Sequence, residues 1–299
     1  MERKRRATTI SNNISENNKT KKYLKKKRLK RTLNIILVIS VSIFVICTFN
    51  ILKWLIQNSK SNNILEETIE IAKIEEINGD VIEQINPPIQ KELYSSDYAN
   101  DYFYYMSIPF VSVDFEELKN KNSDTVAWLK VMGTDVNYPV VQTSDNSYYL
   151  THAYDHTNNS AGWIFGDFRC DFEEFGRNTI IYGHSRRNNT MFGSLLGTTN
   201  KNWCSNRDNT IVHLSTPKYN TMWQIFSIYT IEKEAEYLTT YFETEEIYSS
   251  FLNNMKDRSI FNFNCNVDNN DRILTLSTCA KDDKYRVVIQ AKLIKRELR

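Results

Sequence analysis

Residues 32–52, TLNIILVISVSIFVICTFNIL, run for 21 positions without a charge. About 20 apolar residues in helical form span the hydrocarbon core of a bilayer. The run therefore predicts a membrane helix, and it divides the chain into parts that fold apart from one another. Asn34 and Asn50 fall near the two interfaces, and Lys53 with Trp54 anchors the far side. Residues 1–31 hold 13 Lys/Arg against 2 Asp/Glu, while the remainder holds 25 against 34. A basic head next to a spanning helix predicts a cytoplasmic N-terminus, with everything after residue 56 outside. That topology accounts for the basic run without nucleic-acid binding. A cleaved signal peptide is the competing reading, but a signal core is shorter and ends at a small-residue site. No A-x-A pattern follows here, and Val45-Ile46 before Cys47 does not suit lipid attachment.

The organisation expected from these features is a cytoplasmic tail at 1–31 and a signal-anchor helix at 32–54. An extracellular stalk with a helical segment follows at 55–110, then a folded domain at 111–299. Within the stalk, ILEETIEIAKIEEI (64–77) is weakly helical, with Ile64, Ile71 and Ile74 on one side. Pro87-Pro88 ends any helix. The aromatic cluster Tyr98, Tyr102, Phe103, Tyr104 and Tyr105 is expected to dock on the folded domain. Cys47, Cys170, Cys204, Cys265 and Cys279 show no CxxC and no regular spacing, so neither a disulfide scaffold nor a zinc site is indicated, which leaves room for one pair among Cys170, Cys204 and Cys265. His152 and His156, four apart, are read as turn residues rather than metal ligands. Eight glycines and no glycine-rich phosphate loop argue against nucleotide chemistry.

Eight short segments rich in Val, Ile, Tyr, Phe and Thr read as strands: WLKV, VNYPVVQ, GWIFGD, NTIIYGH, NTIVHLS, MWQIFSIYTI, RILTLSTC and YRVVIQAKL. Gly, Asn and Asp turns separate them. So many short strands in one domain predict a mainly β, closed eight-stranded barrel. DFEELKNKN (114–122) resembles a helix opened by a capping box, with Asp114 and Glu117. One further helix, 243–259, sits between the sixth and seventh strands. Thr244 caps it, and Ile247, Tyr248, Phe251, Leu252 and Met255 form its apolar stripe.

Three strand ends carry chemistry. RILTLSTC ends in Cys279, NTIIYGH ends in His184, and YRVVIQAKL opens with Arg286 beside its first residue. A thiol, an imidazole and a guanidinium are the parts needed for acyl transfer through a thioester. TLSTC (275–279), IIYGHS (180–185) and Arg286 resemble the sortases, membrane-anchored cysteine transpeptidases of Gram-positive bacteria. VNYPVVQTSDNSYYL (136–150), AGWIFGD (161–167) and MFGSL (191–195) strengthen the resemblance, which covers roughly residues 111–296. The helix at 243–259 and the helical opening at 114–122 look most like class B members.

The resemblance implies catalytic roles for His184, Cys279 and Arg286, with Arg272 as an alternative arginine. Ser277 and Thr278 would shape the substrate site. It implies no cofactor and no metal. The implied partners are secreted proteins with a C-terminal sorting motif of Asn-Pro-x-Thr type and an amine of a cell-wall precursor. The implied reaction cleaves after the motif threonine and joins its carboxyl to that amine, anchoring surface proteins to peptidoglycan. A pilin polymerase with a lysine acceptor, a secreted cysteine protease and a non-catalytic binding module are the competing readings. His184 precedes Cys279, the reverse of the papain order.

Overall fold

The computed structural model describes residues 2–80, 83–84, 103–232, 234–279 and 284–299, without the side chains of 2–19, 83–84 and 279. Pro87-Pro88, Tyr98, Tyr102 and the charged run 281–283 thus lie outside the described residues. The chain forms two compact units, Met1–Ile56 and Gln57–Arg299.

The first unit belongs to helix α1 (Glu2–Ala72). Ile35, Leu37, Phe44 and Phe49 stand exposed on it. Among the described residues this is the one helix long and apolar enough to cross a membrane.

The second unit begins with the last turns of α1. Ser61, Ile64, Thr68 and Ala72 are buried there, at the spacing of one helix face. Strand β1 (Glu75–Ile77) follows, then β2 (Glu83–Gln84) and β3 (Phe110–Ser112). β1 pairs antiparallel with β3. Helix α2 (Phe115–Lys121) opens on Asp114, whose carboxylate accepts from the Glu116 amide. The expected capping box is only half formed, because the Asp114 amide donates to the Ala72 carbonyl at 2.8 Å. The chain leaving α1 has taken the donor that Glu117 would have used.

The barrel strands are β4 (Thr125–Val131), β5 (Asn137–Val141), β6 (Phe165–Gly166), β7 (Asn178–Gly183), β8 (Ile211–Ser215), β9 (Tyr219–Glu232), β10 (Ile273–Cys279) and β11 (Tyr285–Leu298). They pair in the order β10-β7-β6-β5-β4-β8-β9-β11, and β11 closes back on β10. This is the closed eight-stranded barrel expected from the sequence. Two neighbouring pairs, β5–β6 and β7–β10, are parallel. β2 adds a two-residue step on the far end of β11. β6 is much shorter than its sequence suggests. The Trp163 amide donates to the Tyr149 carbonyl instead of a neighbouring strand, which delays the start of pairing.

The interior is filled by Leu129, Val140, Trp163, Ile181, Leu214, Trp223, Leu274, Leu276 and Ile289. A second cluster lies outside the ring, under helix α3 (Glu245–Asp257), which sits between the sixth and seventh barrel strands. Thr244 caps α3 by accepting from the Ile247 amide. Tyr248, Phe251, Leu252 and Met255 pack on Phe226, Tyr229, Ile273 and Val288. Ile247 departs from the expected stripe and is 48% exposed.

A buried lysine and a buried imidazole complete the outer layer. The Lys295 ammonium donates to the carbonyls of Met106 and Ile108 and lies over the Phe110 ring, which holds residues 106–110 on the barrel. Burial pulls its pKa down to about 8. Tyr105 is buried in this layer, whereas Phe103 of the same aromatic cluster is exposed. His213 lies in β8, opposite Lys130, as a barrel residue. Burial, with Lys130 and Lys295 nearby, lowers its pKa to about 3, so it is neutral at neutral pH.

Leu276 is 1% exposed and fills the barrel under β10. Leu276→Ala should cost about 2–5 kcal/mol of stability, read as a lower urea midpoint by tryptophan fluorescence.

Candidate active site

β10 runs between β7 and β11. Its parallel pairing with β7 extends from Ile273–Asn178 to Thr278–Gly183. Its antiparallel pairing with β11 extends from Ile273–Lys292 to Cys279–Arg286. His184 is the residue after Gly183, as Cys279 is the residue after Thr278, so each stands one position past the last pair of this register. The three residues thus share one row across adjacent strands, whose backbones lie about 4.8 Å apart. Arg272 precedes β10 at its opposite end and is not in this row.

β10 can be buried on both faces because its polar groups are paired. Leu274 and Leu276 enter the barrel core. On the other face the Thr275 hydroxyl donates to Asn178 Oδ1 at 2.7 Å, and Ser277 Oγ lies 3.0 Å from the Tyr237 hydroxyl. Asn178 in turn donates to the carbonyls of Tyr237 and Thr239, which fixes that segment over the strand.

His184 follows the last residue of β7. Gly183 admits the Phe192 ring, which would come within 2.7 Å of a side-chain carbon there. His184 Nε2 lies 2.9 Å from the Leu150 carbonyl. A carbonyl only accepts, so Nε2 is the protonated nitrogen and Nδ1 is left for proton exchange. Arg286 is half-buried, and its guanidinium donates to the Tyr285 carbonyl at 3.2 Å.

A cavity of about 510 Å³ opens at this row. His184, Arg286, Ser277 and Thr278 line it, together with Tyr182, Leu150, Phe165 and Asn146 and with the segment Glu234, Ala235, Tyr237 and Leu238. The lining is largely apolar, with imidazole, guanidinium and hydroxyl groups converging on it, the usual make-up of a ligand site.

The sortase-domain family model matches residues 129–294, from β4 into β11. The chain belongs to the sortase family. Sortase B of Listeria monocytogenes is 34% identical over 184 residues, 60% of this chain and 74% of that protein. The structure of Bacillus anthracis sortase B overlays with a TM-score of 0.63 at 28% identity, covering 81% of this chain and 99% of that one. A Staphylococcus aureus sortase B–substrate complex gives a TM-score of 0.57 at 36% identity, covering 60% and 84%.

Several lining residues of this sortase site escaped sequence reasoning. Tyr182 and Leu150 sit inside strings that already stood out, IIYGHS and SYYL, but nothing there marks them as facing a cavity. Tyr237 and Leu238 carry no signal at all, because they come from a turn that folds back from outside the ring. His152 and His156 flank Tyr148. His152 stacks on its ring at 4.1 Å, and its Nδ1 lies 2.8 Å from the Tyr148 carbonyl.

Asp167 braces the cavity wall from behind. Its fully buried carboxylate accepts two bonds from the Arg169 guanidinium, one from the Tyr182 hydroxyl at 2.8 Å and one from Asn146 at 3.0 Å. Burial alone would raise its pKa. The Arg169 fork, the Arg169 amide and the Tyr182 hydroxyl outweigh that and hold it below the ordinary carboxylate range. A carboxylate depressed by folding stabilises above its unfolded pKa of about 3.9, and the gain is lost as pH falls through the lower folded value. Asp167→Asn should therefore lower the urea midpoint at pH 6 and flatten its decline below about pH 4.

Proposed function

We propose that this sortase is a class B-type transpeptidase that works through a thioester on Cys279. The observation that supports the reading is that His184 and Arg286 line one cavity at the end of β10, where Cys279 is the last residue and pairs with Arg286. In this reading the Cys279 thiolate attacks the carbonyl of the motif threonine and a C–S bond forms. The Arg286 guanidinium, permanently charged, stabilises the oxyanion. Imidazolium His184 gives its proton to the departing amine as the C–N bond breaks. An acceptor amine then attacks the thioester, His184 takes its proton, and the thiolate leaves. Ser277 and Thr278 shape the wall against which the motif lies.

The substrate class is a secreted protein with a C-terminal sorting motif of Asn-Pro-x-Thr type, and the acceptor is an amine of a cell-wall precursor. Sortase B relatives support the class, and one of them is known in complex with substrate. The apolar run 32–52 and the basic head support a single-pass anchor with a cytoplasmic N-terminus and an extracellular catalytic domain. The division into tail, anchor, stalk and catalytic domain given above belongs to the same reading.

The test uses the full chain in detergent micelles with quenched peptides carrying Asn-Pro-x-Thr or Leu-Pro-x-Thr, with and without a glycine-based amine. Mass spectrometry should find a threonyl adduct on Cys279 and an amine-dependent ligation product. Hydrolysis with no amine-dependent product would favour a protease. Cys279→Ala should abolish the adduct, and Arg286→Ala should lower kcat about 10²–10³-fold. Full turnover by either variant would sink the assignment.

A further inference from the structure

His184 is held by loops on both sides, and the same short piece of α1 reaches both. The first loop, 151–162, carries the support of the His184–Leu150 bond. Gly162 there has φ +59°, and a side-chain carbon on it would stand 2.5 Å from the Tyr149 carbonyl oxygen, 2.9 Å from that of Leu150 and 3.0 Å from His184 Cδ2. Imidazole and carbonyl therefore meet across a position with no room for a side chain. The turn that delivers Gly162 is built on Asn159, whose Oδ1 accepts from the Ala161 amide at 2.9 Å and whose carbonyl accepts from the Gly162 amide at 3.0 Å.

Asn159 is also where α1 attaches. Its side-chain amide donates to the Gln57 carbonyl at 3.1 Å and to Ser61 Oγ at 2.9 Å. These groups are buried, with Asn159 1% and Ser61 3% exposed. Ser160 donates to Gln57 Oε1 at 2.7 Å, and Lys60 pairs with Asp155 at 3.2 Å. The second loop follows His184, and there Asn188 and Arg186 both donate to Asn58 Oδ1. All of these contacts lie within the second unit. Gln57 stands five residues after the end of the apolar run in the sequence.

We infer that Gln57–Ser61 is a clasp across the two loops flanking His184 which, acting through Asn159 and Gly162, holds the imidazole on the Leu150 carbonyl with Nδ1 free for proton transfer. Asn58, Ser61, Asn159 and Gly162 are thereby positioning residues, and the orienting partner of the histidine is a main-chain carbonyl. This rests on the reading above only in giving His184 the proton-transfer role. A peptide carbonyl does not titrate, so the support is insensitive to pH and depends on geometry alone. A small displacement of a reacting group costs up to about a hundredfold in rate.

The test again uses the full chain, reconstituted and labelled with 15N-histidine. Only four histidines are present, so their ring nitrogens are assignable by single substitution. Asn159→Asp keeps the acceptor for the Ala161 amide and removes both donors to α1, while Ser61→Ala and Asn58→Ala loosen the clasp from the helix side. The expected result is an Nε2–H His184 in the native chain and a shifted or mixed tautomer in Asn159→Asp and the double variant Asn58→Ala/Ser61→Ala. kcat should fall tenfold to a hundredfold, with KM changed less than about twofold and the histidine limb of the pH profile displaced. Asn159→Ser, which supplies a hydroxyl donor in place of the side-chain amide, should lose less than Asn159→Asp. Native His184 nitrogen shifts and native kcat in both helix-side variants would overturn the clasp. A moved tautomer in a chain that transfers no acyl group would keep the clasp and defeat the transpeptidase reading.

Discussion

β10 has to pair with a parallel neighbour on one side and an antiparallel one on the other, and the rest of the molecule depends on that double pairing. The contact with β11 closes the ring, so no barrel edge is left open along this seam. The contact with β7 sets how far the two strands slide past one another. A slip of one residue in either pairing would turn the strand's side chains to the opposite face. It would also move Cys279 out of the row shared with His184 and Arg286.

Burying such a strand on both faces requires a partner for each polar group it brings inside. Asn178 supplies much of this by accepting from Thr275 and donating to the segment at 237–239. The same bonds hold the cavity rim in place, so the stability of the strand and the shape of the site have a common origin. Asp167 plays the corresponding part on the other wall, where one buried carboxylate orders Tyr182, Asn146 and Arg169. In both places a buried polar network fixes geometry that apolar packing alone would leave loose.

Around this core the additions to the barrel act as covers. Helix α3 shields the outer face of β10 and brings Tyr237 to the rim through the turn before it. Residues 106–110 are pinned by Lys295. The last turns of α1 reach the loops around His184. Each cover is attached by a few buried polar contacts on top of its apolar face, which is how a segment distant in sequence acquires a defined position on the barrel.

Much of this was legible in the residues. The charge-free run 32–52 identifies a helix by length and polarity. The eight strands show themselves through β-branched and aromatic runs cut by turn residues, and α3 through its cap and periodic stripe. These signals are local, and local chemistry decides them. The failures have a shared physical form. Asp114 lost half of its capping box to the Ala72 carbonyl, β6 was shortened by a bond from Trp163 to Tyr149, and Ile247 was left outside the packed face of α3. In the site, sequence marks three strand ends with suitable side chains, but their lateral register belongs to the pairing of β7, β10 and β11. Leu150 and Gly162 meet at His184, and residues 57–61 of α1 meet the loops on either side of it, only after the ring has closed. Composition and periodicity determined which elements exist, because each is stabilised by its own residues. Only the tertiary structure decided what stands around the imidazole, because those contacts join segments up to 130 positions apart.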